Sequence, residues 1–195
     1  MTLPTMDRRD AVKKLLDARD DALVITGLGS PSYDVHAAGD RDDNYYLWGA
    51  MGGAALVALG VAQAQPEKRV MVITGDGEQL MAFGALATIS VAKPKNLDVI
   101  VLDNQHFGET GMQSSHTGRG IAFDKVAAAC SFSETAELRT LEEVDALTRR
   151  LREPADGPRL FVLKIAAENL PRSLPPRDAV YIKNRFRGHL GLGTC

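Results

Sequence analysis

Cysteine is scarce in this chain of 195 residues: there are two, Cys130 in an apolar run and Cys195 at the end. Thiols so placed build no disulfide framework, and no Cys-x-x-Cys pair is present to hold zinc or an iron–sulfur cluster. Net charge is nearly absent as well. The 23 basic and 25 acidic residues leave −2 at neutral pH, which argues against nucleic-acid or membrane-surface binding. Only the last stretch, Arg172 to Arg187, is mildly basic. The N-terminal MTLPTMDRRDAVKK lacks the apolar core of a signal peptide. The long uncharged run Tyr45 to Pro66 is mostly Gly and Ala, which suits a closely packed buried helix better than a membrane span. What remains is a soluble, cytoplasmic globular protein with enough chain for a full core.

What is there alternates in character. Asp7 to Ala18 has helical spacing of apolar residues. The runs ALVIT (22–26), RVMVIT (69–74), LDVIVL (97–102) and RLFVLKI (159–165) read as buried strands, with a further short strand over Glu134 to Leu138. Between them the spacing predicts helices over Ser32–Ala38, Trp48–Gln63, Gln79–Val91, Ala122–Cys130 and Leu141–Leu151. Gly39 to Asn44 is a polar patch, and Asn104 to Gly120 a Gly- and Ser-rich loop. Strands alternating with helices, several without polar alternation, predict an α/β three-layer sandwich: a mostly parallel sheet with helices on both faces. The globular domain spans 1–167. From Glu168 two Pro clusters predict an extended tail, 168–195, that packs on a partner or symmetry mate.

Ligands of open α/β sheets bind beyond the carboxyl ends of the strands. Three strand ends here carry unusual loops: Gly27-Leu-Gly-Ser30, Gly75-Asp-Gly77 and Asp103-Asn-Gln-His106. Glycines let backbone N–H groups approach phosphate oxygens, and the helix after Gly77 offers its positive end. A carboxylate beside phosphate, Asp76, is repulsive unless a cation lies between. Asp76, the amide oxygen of Asn104, a backbone carbonyl, phosphate oxygens and water make an octahedral set suited to magnesium. Other nucleotide-binding devices are missing: Gly27-Leu-Gly-Ser-Pro lacks the third glycine of a dinucleotide fingerprint, and no Gly-Lys-Ser/Thr is present.

The pair Gly75-Asp76-Gly77 and Asn104, 28 positions apart from Asp76 to Asn104 with a strand–helix–strand between, resembles the cofactor signature of thiamine diphosphate enzymes. That signature usually ends in two Asn; here Asp103 replaces the first. Upstream, Trp48-Gly-Ala-Met-Gly52 resembles the family's Gly-Ser-(Met/Ile)-Gly segment. The likeness covers about Ala22 to Ile165. It is to the diphosphate-binding domain of the decarboxylase branch. Asn104-x-x-Phe-Gly-x-Thr-Gly-x-Gln113 is most similar to sulfopyruvate and phosphonopyruvate decarboxylases. Asn104-Gln-His-x-Gly108 also resembles acetohydroxyacid synthases, which leaves carboligation open beside decarboxylation. A cofactor-binding subunit without turnover is the non-catalytic alternative.

The resemblance implies roles. Asp76, Asn104 and the main-chain carbonyl of His106 would bind Mg2+. Main-chain N–H groups of Gly77 and Glu78, with Gly29 and Ser30, would hold the diphosphate, and Gly75, Phe107 and Gly108 complete that wall. The Gly49 carbonyl would accept from the aminopyrimidine, and Met51 would wedge between the two rings. The resemblance further implies decarboxylation of a small 2-oxo acid to the aldehyde, with the thiazolium ring as electron sink. The family's pyrimidine-binding domain, which supplies an activating glutamate, has no counterpart in these residues. A separate partner subunit is expected, in a heterotetramer or larger assembly. For proton transfer the candidates are His106, Glu109 and His116. For an anionic substrate group they are Gln113, Ser114, Ser115, His116 and Arg119. His36 and His189 read as surface or capping residues.

Overall fold

The computed structural model describes residues 5–193; residues 1–4 and 194–195, Cys195 among them, lie outside the described residues. Along the chain come α1 (Arg8–Asp17), β1 (Leu23–Thr26), α2 (Ser30–Ala37), β2 (Asn44–Tyr46), α3 (Ala54–Ala64), β3 (Val70–Gly75), α4 (Asp76–Met81), α5 (Ala85–Ala92) and β4 (Leu97–Asp103). After these follow β5 (His106–Phe107), β6 (Gln113–Ser114), α6 (Phe123–Ala129), β7 (Glu134–Leu138), α7 (Leu141–Leu151), β8 (Arg159–Lys164) and α8 (Ala179–His189). Six strands form one sheet in the order β2-β1-β3-β4-β8-β7, every pair parallel. The expected three-layer α/β sandwich is therefore what the chain builds. No helix among the described residues is long and apolar enough to cross a membrane.

Both faces of the sheet are covered because successive strand residues point to opposite sides. Val24, Met71, Ile73, Ile100, Leu102, Phe161 and Leu163 pack under α1 and α7 on one face. Leu23, Ile25, Val70, Val72, Val99, Val101 and Val162 pack under α3, α5 and α6 on the other. Two buried ion pairs mark the ends of the β4–β8 ladder. Asp98 accepts from Arg159 Nε at 2.6 Å and Nη2 at 3.1 Å, and Asp103 accepts from Lys164 Nζ at 2.6 Å. In each case the partners are directly opposite in the register. A slip of one residue would leave four buried charges without counter-charge, which fixes the alignment.

Four elements depart from expectation. The helix predicted from Trp48 starts only at Ala54, because Gly49 and Gly52 have positive φ (71° and 91°) and make residues 48–53 a loop. The helix predicted over Gln79–Val91 is two helices, α4 and α5, broken at residues 82–84 where Gly84 begins the second. The polar patch before Tyr45 runs into a short edge strand, β2. The tail expected to be extended and to pack on a partner is extended only over 166–178. It ends in α8, capped by Asp178 and buried through Ile182 and Phe186 against this same chain. Phe186 meets Tyr45 edge-on with centroids 5.6 Å apart, and Arg185 binds Asp40 through two nitrogens at 2.6 and 3.1 Å. The helix thus covers the exposed side of β2, where an open strand edge would invite non-specific pairing.

Phe186→Ala should lower the unfolding free energy by about 3 kcal/mol in urea denaturation, the cost of emptying a buried aromatic site; an unchanged midpoint would show that α8 is not docked.

Candidate active site

β1 has β2 on one side and β3 on the other, so the chain leaves it in opposite directions and opens a crevice at the carboxyl ends. A cavity of about 220 Å³ lies there. Its wall is built from three strand-end loops. β1 gives Leu28, Gly29 and Ser30; β3 gives Gly75, Asp76, Gly77 and Glu78; β4 gives Asn104, His106, Phe107 and Gly108. Met51 reaches it from the loop before α3, and its side chain is left 42% exposed.

Asp76 is 3% exposed at the first residue of α4. Its Oδ2 accepts from Ser115 Oγ and from Thr117 Oγ1 at 3.0 Å. Thr117 Oγ1 also lies 2.7 Å from Asp103 Oδ1 and 2.8 Å from Ser115 Oγ. Two hydroxyl protons serve these four contacts, so the cluster is rich in lone pairs and poor in positive charge. Burial, with Asp103 adding to it, pushes the Asp76 carboxyl up to about 6 against the donation of Ser115 and Thr117. A divalent cation on this carboxylate would supply the missing charge. The other available donors are hard oxygens. Asn104 Oδ1 accepts from His106 N–H at 2.9 Å and keeps its second lone pair, and the loop carbonyls lie beside it. No group of three His, Cys, Asp or Glu among the described residues forms a metal site. The donor set therefore suits magnesium, completed by ligand oxygens, better than zinc.

The cradle for the anion is equally specific. Gly29 (φ 76°) is the N-cap of α2 and gives it no side-chain cap; Gly29, Ser30 and Pro31 line the cavity, and because Pro31 has no N–H, the free donor among these first helical positions is the Ser30 N–H. A Cβ on Gly77 would come within 2.7 Å of the Phe107 ring. Glu78 has a side-chain role beside the main-chain one expected of it. Its buried carboxylate accepts from Leu28 N–H at 2.8 Å and Gly52 N–H at 3.2 Å, stapling the β1 loop and the 48–53 loop to the start of α4. Burial outweighs these donors and raises its pKa. Gly27 must be glycine for this staple, since a Cβ there would fall 1.8 Å from Glu78 Oε2.

With this geometry in view, the comparisons carry one meaning. Residues 33–164 match the model "Thiamine pyrophosphate enzyme, C-terminal TPP binding domain". The chain belongs to the thiamine pyrophosphate enzymes. It is 35% identical over 139 residues to sulfopyruvate decarboxylase subunit beta of Methanocaldococcus jannaschii, covering 71% of this chain and 73% of that one. It is 38% identical over 180 residues to phosphonopyruvate decarboxylase of Streptomyces viridochromogenes, covering 91% of this chain but 44% of that protein. The chain thus spans less than half of this second relative. In fold it is similar to benzoylformate decarboxylase of Polynucleobacter necessarius, with TM-score 0.70 at 17% identity over 84% of this chain and 34% of that one.

Of the residues expected at a thiamine pyrophosphate site, Gly29, Ser30, Met51, Gly75, Asp76, Gly77, Glu78, Asn104, His106, Phe107, Gly108 and Glu109 line the cavity. Gly49 does not; it sits on the exposed 48–53 loop. The expected substrate residues Gln113, Ser114, Ser115, His116 and Arg119 are also absent from the lining. The β5–β6 hairpin turns them away: Gln113 bonds Thr110, His116 is exposed with its ring 6.5 Å from Phe107, and Arg119 is exposed. Ser115 is 1% exposed and is committed to Asp76. His106 turns its Nδ1 to the Asn104 carbonyl at 2.8 Å, and Glu109 pairs with Arg172 at the cavity mouth. Sequence reasoning missed Arg8 and Asp34, which line the cavity as a buried ion pair at 3.1 Å. It also missed Thr117 and Lys164. No local motif announces any of the four. The departure Asp103 for Asn was the only signal for Lys164, since a buried strand-end carboxylate requires a counter-charge.

Gly27→Ala should cost about 2 kcal/mol of stability by forcing Glu78 off its two N–H donors. Thr117→Val should cost about 2 kcal/mol by removing a buried hydroxyl from charged acceptors, whereas Thr117→Ser should stay near wild type. Urea denaturation of the three variants checks both, and equal losses for Val and Ser would remove the hydroxyl from the account.

Proposed function

We propose that this chain is the diphosphate-binding subunit of a thiamine diphosphate- and magnesium-dependent 2-oxo acid decarboxylase. Its substrate is an anionic 3-substituted pyruvate such as sulfopyruvate or phosphonopyruvate, converted to the aldehyde and CO2. The observation that carries this reading is the meeting of Asp76, Asn104, Gly77 and the uncapped start of α2 in one cavity at the sheet's switch point. The names of the relatives support the substrate class.

In this reading the Asp76 carboxylate, Asn104 Oδ1 and the His106 carbonyl hold Mg2+. The N–H groups of Gly77 and Glu78, with Gly29 and Ser30, hold the diphosphate. Thiamine diphosphate, when bound, supplies a nucleophilic carbon and an electron sink for the pair released with CO2. Met51 orients the two rings, and its exposure fits a side chain completed by cofactor and partner. Ser115 and Thr117 keep Asp76 directed at the cation. Glu78 keeps the β1 loop and the 48–53 loop at fixed spacing from α4, so that their donors are in place before the ligand arrives. Phe107, against Gly77, excludes water beside the diphosphate.

A partner subunit supplies the pyrimidine-binding side and its glutamate. The "subunit beta" in a relative's name supports this, as does the longer chain of the phosphonopyruvate relative. The assembly is a heterotetramer or larger, in the cytoplasm.

The test is CO2 release from sulfopyruvate and phosphonopyruvate with thiamine diphosphate and Mg2+. Turnover should need both chains. Asp76→Asn should lower it by at least about 100-fold, as expected for loss of a metal ligand. Full turnover by this chain alone would refute the split, and no turnover by the pair on either acid would refute the substrate class.

A further inference from the structure

A second cavity, of about 160 Å³, adjoins the first at its Ser30 end and shares Arg8, Ser30, Gly108 and Glu109 with it. Its outer wall is Asn169, Leu170 and Arg172, from the segment that follows β8. This strap, residues 166–178, is held along its length. Arg9 donates to the Pro171 carbonyl, His36 Nδ1 lies 2.8 Å from Ser173 Oγ, and Trp48 Nε1 donates to the Pro176 carbonyl at 2.8 Å. The strap therefore belongs to the site's own architecture, and it carries one cation to the cavity mouth.

That cation, Arg172, is matched to a carboxylate in an unusual seat. Glu109 Oε2 accepts from Arg172 Nη2 at 2.9 Å, while Oε1 lies 3.3 Å from Ser30 Oγ. The Glu109 side chain lies over the turn that starts α2: a Cβ on Gly29 would come 3.1 Å from Glu109 Cγ. An anion thus already sits between the Arg172 guanidinium and the Ser30 hydroxyl at the start of α2, two donors that a phosphate group can use equally well. Behind it, Arg8 is 3% exposed and lines both cavities. Its Nε meets Asp34 at 3.1 Å and its Nη1 reaches the Glu168 carbonyl only at 3.5 Å. The Arg172 and Glu109 side chains are 62% and 41% exposed, so their pairing is weak and exchanges readily.

We propose that Arg172 on the strap, backed by Arg8, binds the terminal phosphate group of the diphosphate, and that Glu109 occupies this seat until that group displaces it. The inference rests on the proposed function, because it presumes that a diphosphate enters the first cavity. It adds a tail residue to a site otherwise made of strand-end loops, and it gives Glu109 a task other than proton transfer. On arrival the phosphate repels the Glu109 carboxylate from Ser30, and Arg172 exchanges one anion for another of higher charge. No bond is made or broken in the exchange.

The test is calorimetric binding of inorganic diphosphate, with Mg2+, to this chain. Arg172→Gln should weaken binding about tenfold or more, the loss of one charge-assisted contact. Arg177→Gln removes a strap cation that lies over Trp48, 5.7 Å from the ring centre, and should bind as wild type. Glu109→Gln should tighten binding about threefold or more, because a competing charge is gone. Wild-type affinity in Arg172→Gln, or equal loss in Arg177→Gln, overturns the inference and leaves the function standing. Weaker or unchanged binding in Glu109→Gln overturns the seat-holding role. A wild-type chain that binds no magnesium diphosphate overturns the cofactor reading and the inference with it.

Discussion

A carboxylate sealed from water demands donors or counter-charge, and the site is organised around meeting that demand at Asp76. The means is indirect. β4 and β8 are aligned so that Asp103 faces Lys164, and the ion pair anchors one end of the cluster. From Asp103 the hydroxyls of Thr117 and Ser115 lead to Asp76. The 105–120 loop, which supplies both hydroxyls, is thereby fastened to the sheet beside Asp76. Without the ladder register there is no Lys164 at this position, without Lys164 Asp103 is an unpaired buried charge, and without Asp103 the loop loses its anchor.

A parallel sheet makes this economical. Every crossover returns the chain to the same edge, so loops distant in sequence meet at the carboxyl ends of their strands. The loops themselves are irregular and need separate fixing. Glu78 does this by taking N–H groups from two of the other loops, and Gly27 does it by leaving room for that carboxylate. Rigid donors at fixed spacing suit an anion, because nothing has to reorganise when it binds. The strap and α8 extend the same logic to the tail, which closes the far end of the cavity and then covers the edge strand β2.

Much of the fold was legible because it follows from periodicity. Unbroken apolar runs gave the four central strands, and the helices between them were placed within a few residues. The two misplaced helices, before α3 and between α4 and α5, share a cause: a helix continues only while backbone dihedrals allow. Gly52 adopts positive φ where the 48–53 loop approaches Glu78 and α4, and that approach is a tertiary fact. The cavity lining was legible where it came with motifs, in Gly75-Asp76-Gly77 and Asn104. It was illegible where polar residues in a flexible-looking loop had to be sorted by direction. Gln113, Ser114, Ser115, His116 and Arg119 look alike as candidates for a ligand, and none of them lines the cavity of this chain.

The sequence by itself determined the α/β layering and the residue types able to hold a magnesium diphosphate, since both depend on local pattern and on chemistry that a side chain carries wherever it lies. Tertiary structure alone decided which polar residues support that site. Ser115 became a support for Asp76, Glu78 a staple, Glu109 a partner of Arg172, and Arg8 a wall of the cavity. These assignments depend on which groups share a buried volume at distances of a few ångströms. Contacts of that kind join residues up to 162 positions apart, as between Arg9 and Pro171, and no local pattern encodes them.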